Sequence, residues 1–217
     1  GSSINKERQE KAHVHGAFFN QEGNYLFTPD LGMDQITAYP YKVNANPVLQ
    51  VEKQIVLNAN PGAGPRHMSF SKNGKLIYVI EELTGTVSVY QIQKGVSKKL
   101  QTVSTHPTNF TGQASSADMH LSPDEKYLYV SNRGNENNIV KLPLLENGLI
   151  NAEKNNYFSS KGVKPRNFTI SKDGKWLLVA NQDSDNIIVF KINPTNGDLV
   201  DTGHQIKVSM PVCLVLF

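Results

Sequence analysis

Residues 64–83 read Gly-Pro-Arg-His-Met-Ser-Phe-Ser-Lys-Asn-Gly-Lys-Leu-Ile-Tyr-Val-Ile-Glu-Glu-Leu, with a turn at 71–74 between two apolar strands. The turn sequence Ser-Lys-Asn-Gly supplies the positive φ that tight hairpins need, so the stretch predicts an antiparallel β-hairpin. Antiparallel strands of matched length bring their outer ends together. Four polar residues are therefore predicted to share one end of the hairpin: Arg66, His67, Glu81 and Glu82.

The same hairpin pattern occurs four times along the chain. Its turns begin at Asn20, Ser71, Ser122 and Ser171, so successive units are displaced by 51, 51 and 49 residues. Repeats of this length that contain strands are typical of β-propeller blades with four strands each, so the predicted fold class is all-β. The predicted blades span about residues 13–60, 61–111, 112–161 and 162–209, followed by a closing strand at 210–217.

The closing strand has no predicted partner within the chain, and residues 1–12 are polar without a strand pattern. Propellers usually close by letting the two chain termini share one blade. We therefore expect residues 1–217 to be a single propeller domain that is the C-terminal part of a larger one. The open edges are expected to be covered by further chain or by a neighbouring molecule.

Composition narrows the classes of function. The 217 residues are 38% hydrophobic, which is enough for a sizeable core, and 22 basic against 19 acidic residues give a net charge of +3. The basic residues form no run longer than Lys98-Lys99, which predicts no nucleic-acid partner and no membrane partner. No apolar stretch approaches the length of a membrane span. The expected location is the cytoplasm, although the lack of a visible targeting signal says little about it. The lone Cys213 is interpreted as a small buried residue.

The candidate site follows from the geometry of blades, because the starts of the first strands converge on one mouth of the central channel. Two aligned positions there hold His15, Arg66, Ala117 and Arg166, then Gly16, His67, Asp118 and Asn167. The loops that leave the second strands add Asp30, Glu81, Glu82, Asn132, Arg133, Asn181 and Gln182. Such a mouth suits a small anionic ligand, since Arg binds phosphate or carboxylate in bidentate fashion.

Several short pieces of the chain match the pattern of one known family. They are His13-Val-His15, Asp30-Leu-Gly32, Gly64-Pro-Arg-His67, Tyr78-Val-Ile-Glu-Glu-Leu83, Ser131-Asn-Arg-Gly134, Pro165-Arg-Asn-Phe168 and Asn181-Gln182. In combination they resemble the seven-bladed β-propeller lactonase family, which includes bacterial 6-phosphogluconolactonase and fungal muconate-lactonising cycloisomerases. The resemblance covers essentially the whole chain. It implies seven blades, of which about four and one strand are present here.

Carried over by that resemblance, the catalytic residues fall on His15, Arg66, Glu82 and Arg133. The substrate-binding residues that we predict beside them are His13, Asp30, His67, Asp118, Arg166 and Gln182. One departure is visible: the family commonly has Asn where this chain has Glu81, so the base could be Glu81, Glu82 or His15.

The expected reaction is hydrolysis of a sugar-acid lactone, with 6-phosphogluconolactone as the expected substrate and no cofactor. Arg66, Arg133 and Arg166 would hold the phosphate and stabilise the oxyanion, while Glu82 or His15 takes a proton from water. One alternative is a cycloisomerase that acts on a dicarboxylate. Another is a non-catalytic propeller that serves as a binding platform.

Simpler interpretations stand beside the functional ones. Arg66 and Glu82 could form a salt bridge on a solvated rim. His13 and His15 share a strand face, but no third ligand completes a zinc site, so no metal is expected. Asp118 and Asn167 could form turns, and Arg166 could cap a carbonyl. His106 is interpreted as a solvated loop residue and Trp176 as a core residue.

Overall fold

Four antiparallel sheets of four strands each form the computed structural model, which describes residues 1–93 and 96–216. The first sheet contains β1 (Phe18–Phe19), β2 (Tyr25–Asp30), β3 (Gln35–Pro40) and β4 (Ile55–Asn58). The second contains β5 (Pro65–Phe70), β6 (Leu76–Glu81), β7 (Thr86–Gln93) and β8 (Val96–Ser104). The third contains β9 (Ser116–Leu121), β10 (Tyr127–Asn132), β11 (Asn138–Pro143) and β12 (Asn156–Ser159). The fourth contains β13 (Pro165–Ile170), β14 (Trp176–Asn181), β15 (Asn186–Ile192) and β16 (Leu199–Lys207).

Each sheet is a meander whose neighbouring strands follow one another in sequence, and this repeated four-stranded unit confirms the all-β prediction. The described residues also contain single-turn 3₁₀ helices at Val51–Lys53, Ala152–Lys154 and Gln182–Ser184. None of the helices in residues 1–93 and 96–216 has the length and apolar content needed to cross a membrane.

The hairpin turns form as their residue types predict. In the second sheet the Ser71 hydroxyl accepts a hydrogen bond from the Leu76 amide at 3.0 Å, and Gly74 has a φ of 65°. In the third sheet Glu125 takes the corresponding positive φ, 54°, without a glycine. A serine hydroxyl that caps the start of the second strand is therefore sufficient to fix the hairpin, and glycine only lowers its strain.

The chain divides into two compact units, residues 1–102 and residues 103 onward. The core of the first unit lies between its two sheets and contains Phe27, Ile36, Ala38, Leu57, Met68, Ile77, Val79 and Tyr90. The core of the second unit contains Tyr129, Ile139, Phe168, Leu177, Val179, Ile188, Phe190, Ile192 and Leu199. Burial of each large side chain in these cores stabilises the folded state by about 1.5–3 kcal/mol. The single propeller domain expected over residues 1–217 stays a prediction.

Residues 211–216 pair with no strand of the described chain, in line with the expected lack of a partner within it, and the closing strand stays a prediction. The Leu214 amide instead donates to Asn167 Oδ1 at 2.6 Å, and Phe217 lies outside the described residues. Cys213 lies in this irregular segment and is exposed, so the buried interpretation is wrong. Trp176 is also not a core residue, since it begins β14 beside the turn with 40% exposure.

Candidate active site

A buried ion pair joins the start of β5 to the residue that follows β6. The pairing of β5 with β6 shifts between Pro65 and His67, so Arg66 is the extra residue of a β-bulge, which redirects its side chain. Its Nε donates to Glu82 Oε2 at 2.8 Å, and the two side chains are 2% and 5% exposed. This burial rules out the interpretation of the pair as a salt bridge on a solvated rim.

A second guanidinium, which the sequence analysis missed, binds the other oxygen of Glu82. Arg8 Nη2 donates to Glu82 Oε1 at 2.7 Å, and the Arg8 side chain is 44% exposed. Its neighbour Gln9 is fully buried and donates to Leu31 O at 2.9 Å and to Asp34 Oδ1 at 2.7 Å. The polar N-terminal segment thus belongs to the site, and nothing in its composition signals that Gln9 is buried.

His15 lies close to this ion pair and is neutral at pH 7. Burial, followed by the charges of Arg66 and His67, lowers its pKa to about 4, although Glu82 opposes the change. The His15 and His67 rings are 5.2 Å apart between centroids. His15 Nδ1 is buried and has no hydrogen-bond partner among the described residues. A neutral imidazole with an unpaired ring nitrogen can accept a proton or bind a ligand.

Glu81 ends β6, and its carboxylate contacts β7 of the same sheet. Its Oε1 accepts from Ser88 Oγ at 2.8 Å, its Oε2 accepts from Thr86, and burial above all raises its pKa. Asn132 has the equivalent position in the third sheet, where its Oδ1 accepts from Ser116 Oγ at 2.6 Å. Glu81 therefore replaces the family's Asn in a structural role, and we no longer consider it a candidate for the base.

Two predicted substrate-binding residues of the first unit make other contacts. Asp30 Oδ1 accepts from the amides of His13, Gly32 and Met33 at 2.8, 2.9 and 3.0 Å, which fixes the loop after β2. His13 Nε2 lies 3.1 Å from Glu10 Oε1 in a partly exposed pair. We do not include either residue in the proposed site. No group of three His, Cys, Asp or Glu residues that could hold a metal ion occurs in the described chain.

The second unit holds the remaining predicted residues. Arg133 is 8% exposed, and its Nε donates to Ser115 O at 3.2 Å. Arg166 is the extra residue of a β-bulge in β13, as Arg66 is in β5. Gln182, which aligns with Glu82, is no ionic partner for Arg166, and its Oε1 is buried without a hydrogen bond in the described residues. That Arg66, Arg133 and Arg166 hold one phosphate together stays a prediction.

Asp118 links two first strands within the second unit. Its Oδ2 accepts from Asn167 Nδ2 at 2.5 Å and from the Phe168 amide at 3.1 Å. His120, two residues further along β9, lies 3.2 Å from the same oxygen. Burial opposes protonation of His120, but the charge and hydrogen bond of Asp118 raise its pKa. These contacts give Asp118 a structural role, and they also correct the view that it merely forms a turn.

The interpretation of His106 as a solvated loop residue is wrong. It is 8% exposed, its ring stacks on Phe110 at 4.1 Å, and its Nδ1 is hydrogen-bonded to Glu136. Its Nε2 is buried and has no partner in the described chain. The sequence carries no signal for this cluster, because the partner residues are 30 positions apart in separate loops.

Comparisons with known proteins show which family the chain resembles. The family model "Lactonase, 7-bladed beta-propeller" matches residues 1–216. A protein of Formosa agariphila named 6-phosphogluconolactonase is 38% identical over 100% of this chain and 61% of its own length. A solved structure from Bacteroides fragilis, provisionally named 6-phosphogluconolactonase, matches with a TM-score of 0.89 and 37% identity over 98% of this chain and 60% of that one.

A further solved structure, described as a periplasmic gluconolactonase of Pseudomonas aeruginosa, matches with a TM-score of 0.85. It is 33% identical, and the match covers 98% of this chain and 58% of that one. The chain thus spans about three fifths of the length of the relatives that it matches.

Proposed function

This chain belongs to the seven-bladed β-propeller lactonase family, and we propose that the protein hydrolyses a sugar-acid lactone, with 6-phosphogluconolactone as its substrate. The names of the Formosa and Pseudomonas relatives support the lactone class. One observation carries the proposal: the buried Arg66–Glu82 pair lies beside a neutral His15 that has an unpaired ring nitrogen.

Arg66 is proposed to stabilise the oxyanion that develops on the lactone carbonyl. Its guanidinium is fixed by Glu82 and is nearly excluded from water, so it needs no reorganisation during the reaction. Glu82 already accepts from a guanidinium at each oxygen. It therefore acts as a positioning residue for Arg66. It is a poor base, since neighbouring cations stabilise a carboxylate in its ionised form.

His15 is then the proposed general base. Its imidazole takes a proton from water as the water oxygen attacks the lactone carbonyl and forms a tetrahedral intermediate. When the intermediate collapses, the ring C–O bond breaks, and the protonated His15 returns the proton to the leaving alkoxide. The products are the open-chain acid and the regenerated imidazole. The roles predicted for Arg133 and Arg166 stay predictions.

Lactone hydrolysis by Arg66→Met and His15→Asn variants of the full chain tests this function. Loss of an oxyanion donor lowers kcat by about 100- to 1,000-fold, and loss of a general base lowers it by about 100- to 10,000-fold. Wild-type rates in both variants would refute the assigned roles. A wild-type protein that turns over a muconate-like dicarboxylate but no lactone would favour the cycloisomerase, and one that turns over neither would favour a binding platform.

We also retain the cytoplasm as the proposed location, with a small anionic lactone as the partner. Because one relative is described as periplasmic, fractionation of cells that express the full chain is the direct test. Recovery in the periplasmic fraction would contradict the proposal.

A further inference from the structure

The cluster of Arg8, Arg66 and Glu82 holds one more positive charge than negative. Glu82 Oε2 accepts from Arg66 and Glu82 Oε1 accepts from Arg8, so two guanidinium ions share one carboxylate. Two guanidinium ions this close together attract an anionic group of a ligand.

The two guanidinium ions differ in their freedom to meet a ligand. Arg66 is 2% exposed and lies in the bulge of a sheet, whereas 44% of the Arg8 side chain is exposed on a surface turn. An exposed ion pair is worth about 1 kcal/mol or less. A ligand anion can therefore displace Glu82 from Arg8 at little cost, while Arg66 stays in place.

The backbone that carries Arg8 is nevertheless fixed. The Arg8 amide lies 3.1 Å from Asn5 Oδ1, and the Asn5 amide donates to Gln9 Oε1 at 3.0 Å. Gln9 itself is anchored in the first unit by its two side-chain hydrogen bonds. Only side-chain rotamers of Arg8 need to change when it binds a ligand, which limits the entropy lost.

We propose that Arg8 selects for an anionic substituent on the substrate: it rests on Glu82 in the free protein and transfers to the phosphate of the bound lactone. This assignment rests on the proposed lactone hydrolysis and specifies its substrate class. Arg8 offers a planar pair of donors that matches phosphate, which Lys in the same place would not.

The test compares kcat/KM for 6-phosphogluconolactone and for gluconolactone in the full chain. Arg8→Gln is expected to lower the ratio of the two values about 10- to 100-fold, the loss that follows from removing one charge-assisted hydrogen bond. Arg8→Lys should restore only part of the ratio. The matched control is Lys6→Gln, which removes an exposed charge from the same turn and should leave the ratio unchanged.

An unchanged ratio in Arg8→Gln would overturn the inference, because it would mean that Arg8 only steadies Glu82. If the wild type hydrolyses neither lactone, the proposed function fails separately. Calorimetric titration with inorganic phosphate then decides about Arg8: at least tenfold weaker binding by Arg8→Gln supports the inference, and equal binding overturns it.

Discussion

Glu82→Gln removes the carboxylate that compensates both Arg66 and Arg8. Because the Arg66 side chain is 2% exposed, the substitution removes an ionic partner from a buried charge, which costs about 3–5 kcal/mol in the free energy of unfolding. Loss of the exposed Arg8 contact adds about 1 kcal/mol or less. We expect the free energy of unfolding to fall by about 3 kcal/mol in total, at the low end of the range, because Arg66 keeps its contact with His67. In a chain of this size that lowers Tm by roughly 6–12 °C.

Urea denaturation measures this effect, with Glu7→Gln as the control that removes an exposed carboxylate near Arg8. The control should stay within about 0.5 kcal/mol of the wild type. A double variant, Glu82→Gln with Arg66→Met, should recover at least half of the loss, because no charge is then left buried. The reasoning is refuted if Glu82→Gln matches the control, or if the double variant is no more stable than the single one.

Three further predictions concern His15, Glu81 and Gly32. Because the pKa of His15 is lowered to about 4, kcat/KM should be constant from about pH 5.5 upward and fall as the pH drops through about 4. A midpoint near pH 6.5 would contradict the assignment of His15 as the general base. Burial raises the pKa of Glu81, so the folded state binds the proton of this carboxyl more tightly, and the wild type loses stability as the pH rises above 4.5. In urea denaturation Glu81→Gln should therefore gain stability relative to the wild type over that pH range. An opposite trend would exclude this explanation. A Cβ at Gly32 would lie 1.9 Å from the Lys11 carbonyl oxygen, so Gly32→Ala should displace the N-terminal segment. Hydrogen exchange of the backbone amides in residues 1–12 should then become faster. Unchanged exchange would mean that other contacts hold the segment.

The fold was accessible from the sequence because its signals are local and repeated. The turn at Ser71 recurs at Ser122 and Ser171, and each occurrence fixes one hairpin of one sheet. The described sheets fall within the four predicted intervals. Cys213 was interpreted as buried from its apolar neighbours, but it is exposed because its segment pairs with no strand of the described chain.

The candidate site was only partly accessible. Strand ends indicated that Arg66 and Glu82 lie together, and the alternation of side chains across a strand explains why Glu81 points the other way. The contribution of Arg8 depends on Gln9, whose burial comes from contacts with residues more than 20 positions away. Such long-range contacts leave no periodic signal in a polar segment.

The location of bound product tests the central claim most directly. A crystal structure of the full chain with 6-phosphogluconate should place the product carboxylate within hydrogen-bond distance of both the Arg66 guanidinium and the His15 imidazole, with the phosphate on Arg8. An ordered product that contacts neither Arg66 nor His15 would contradict the account.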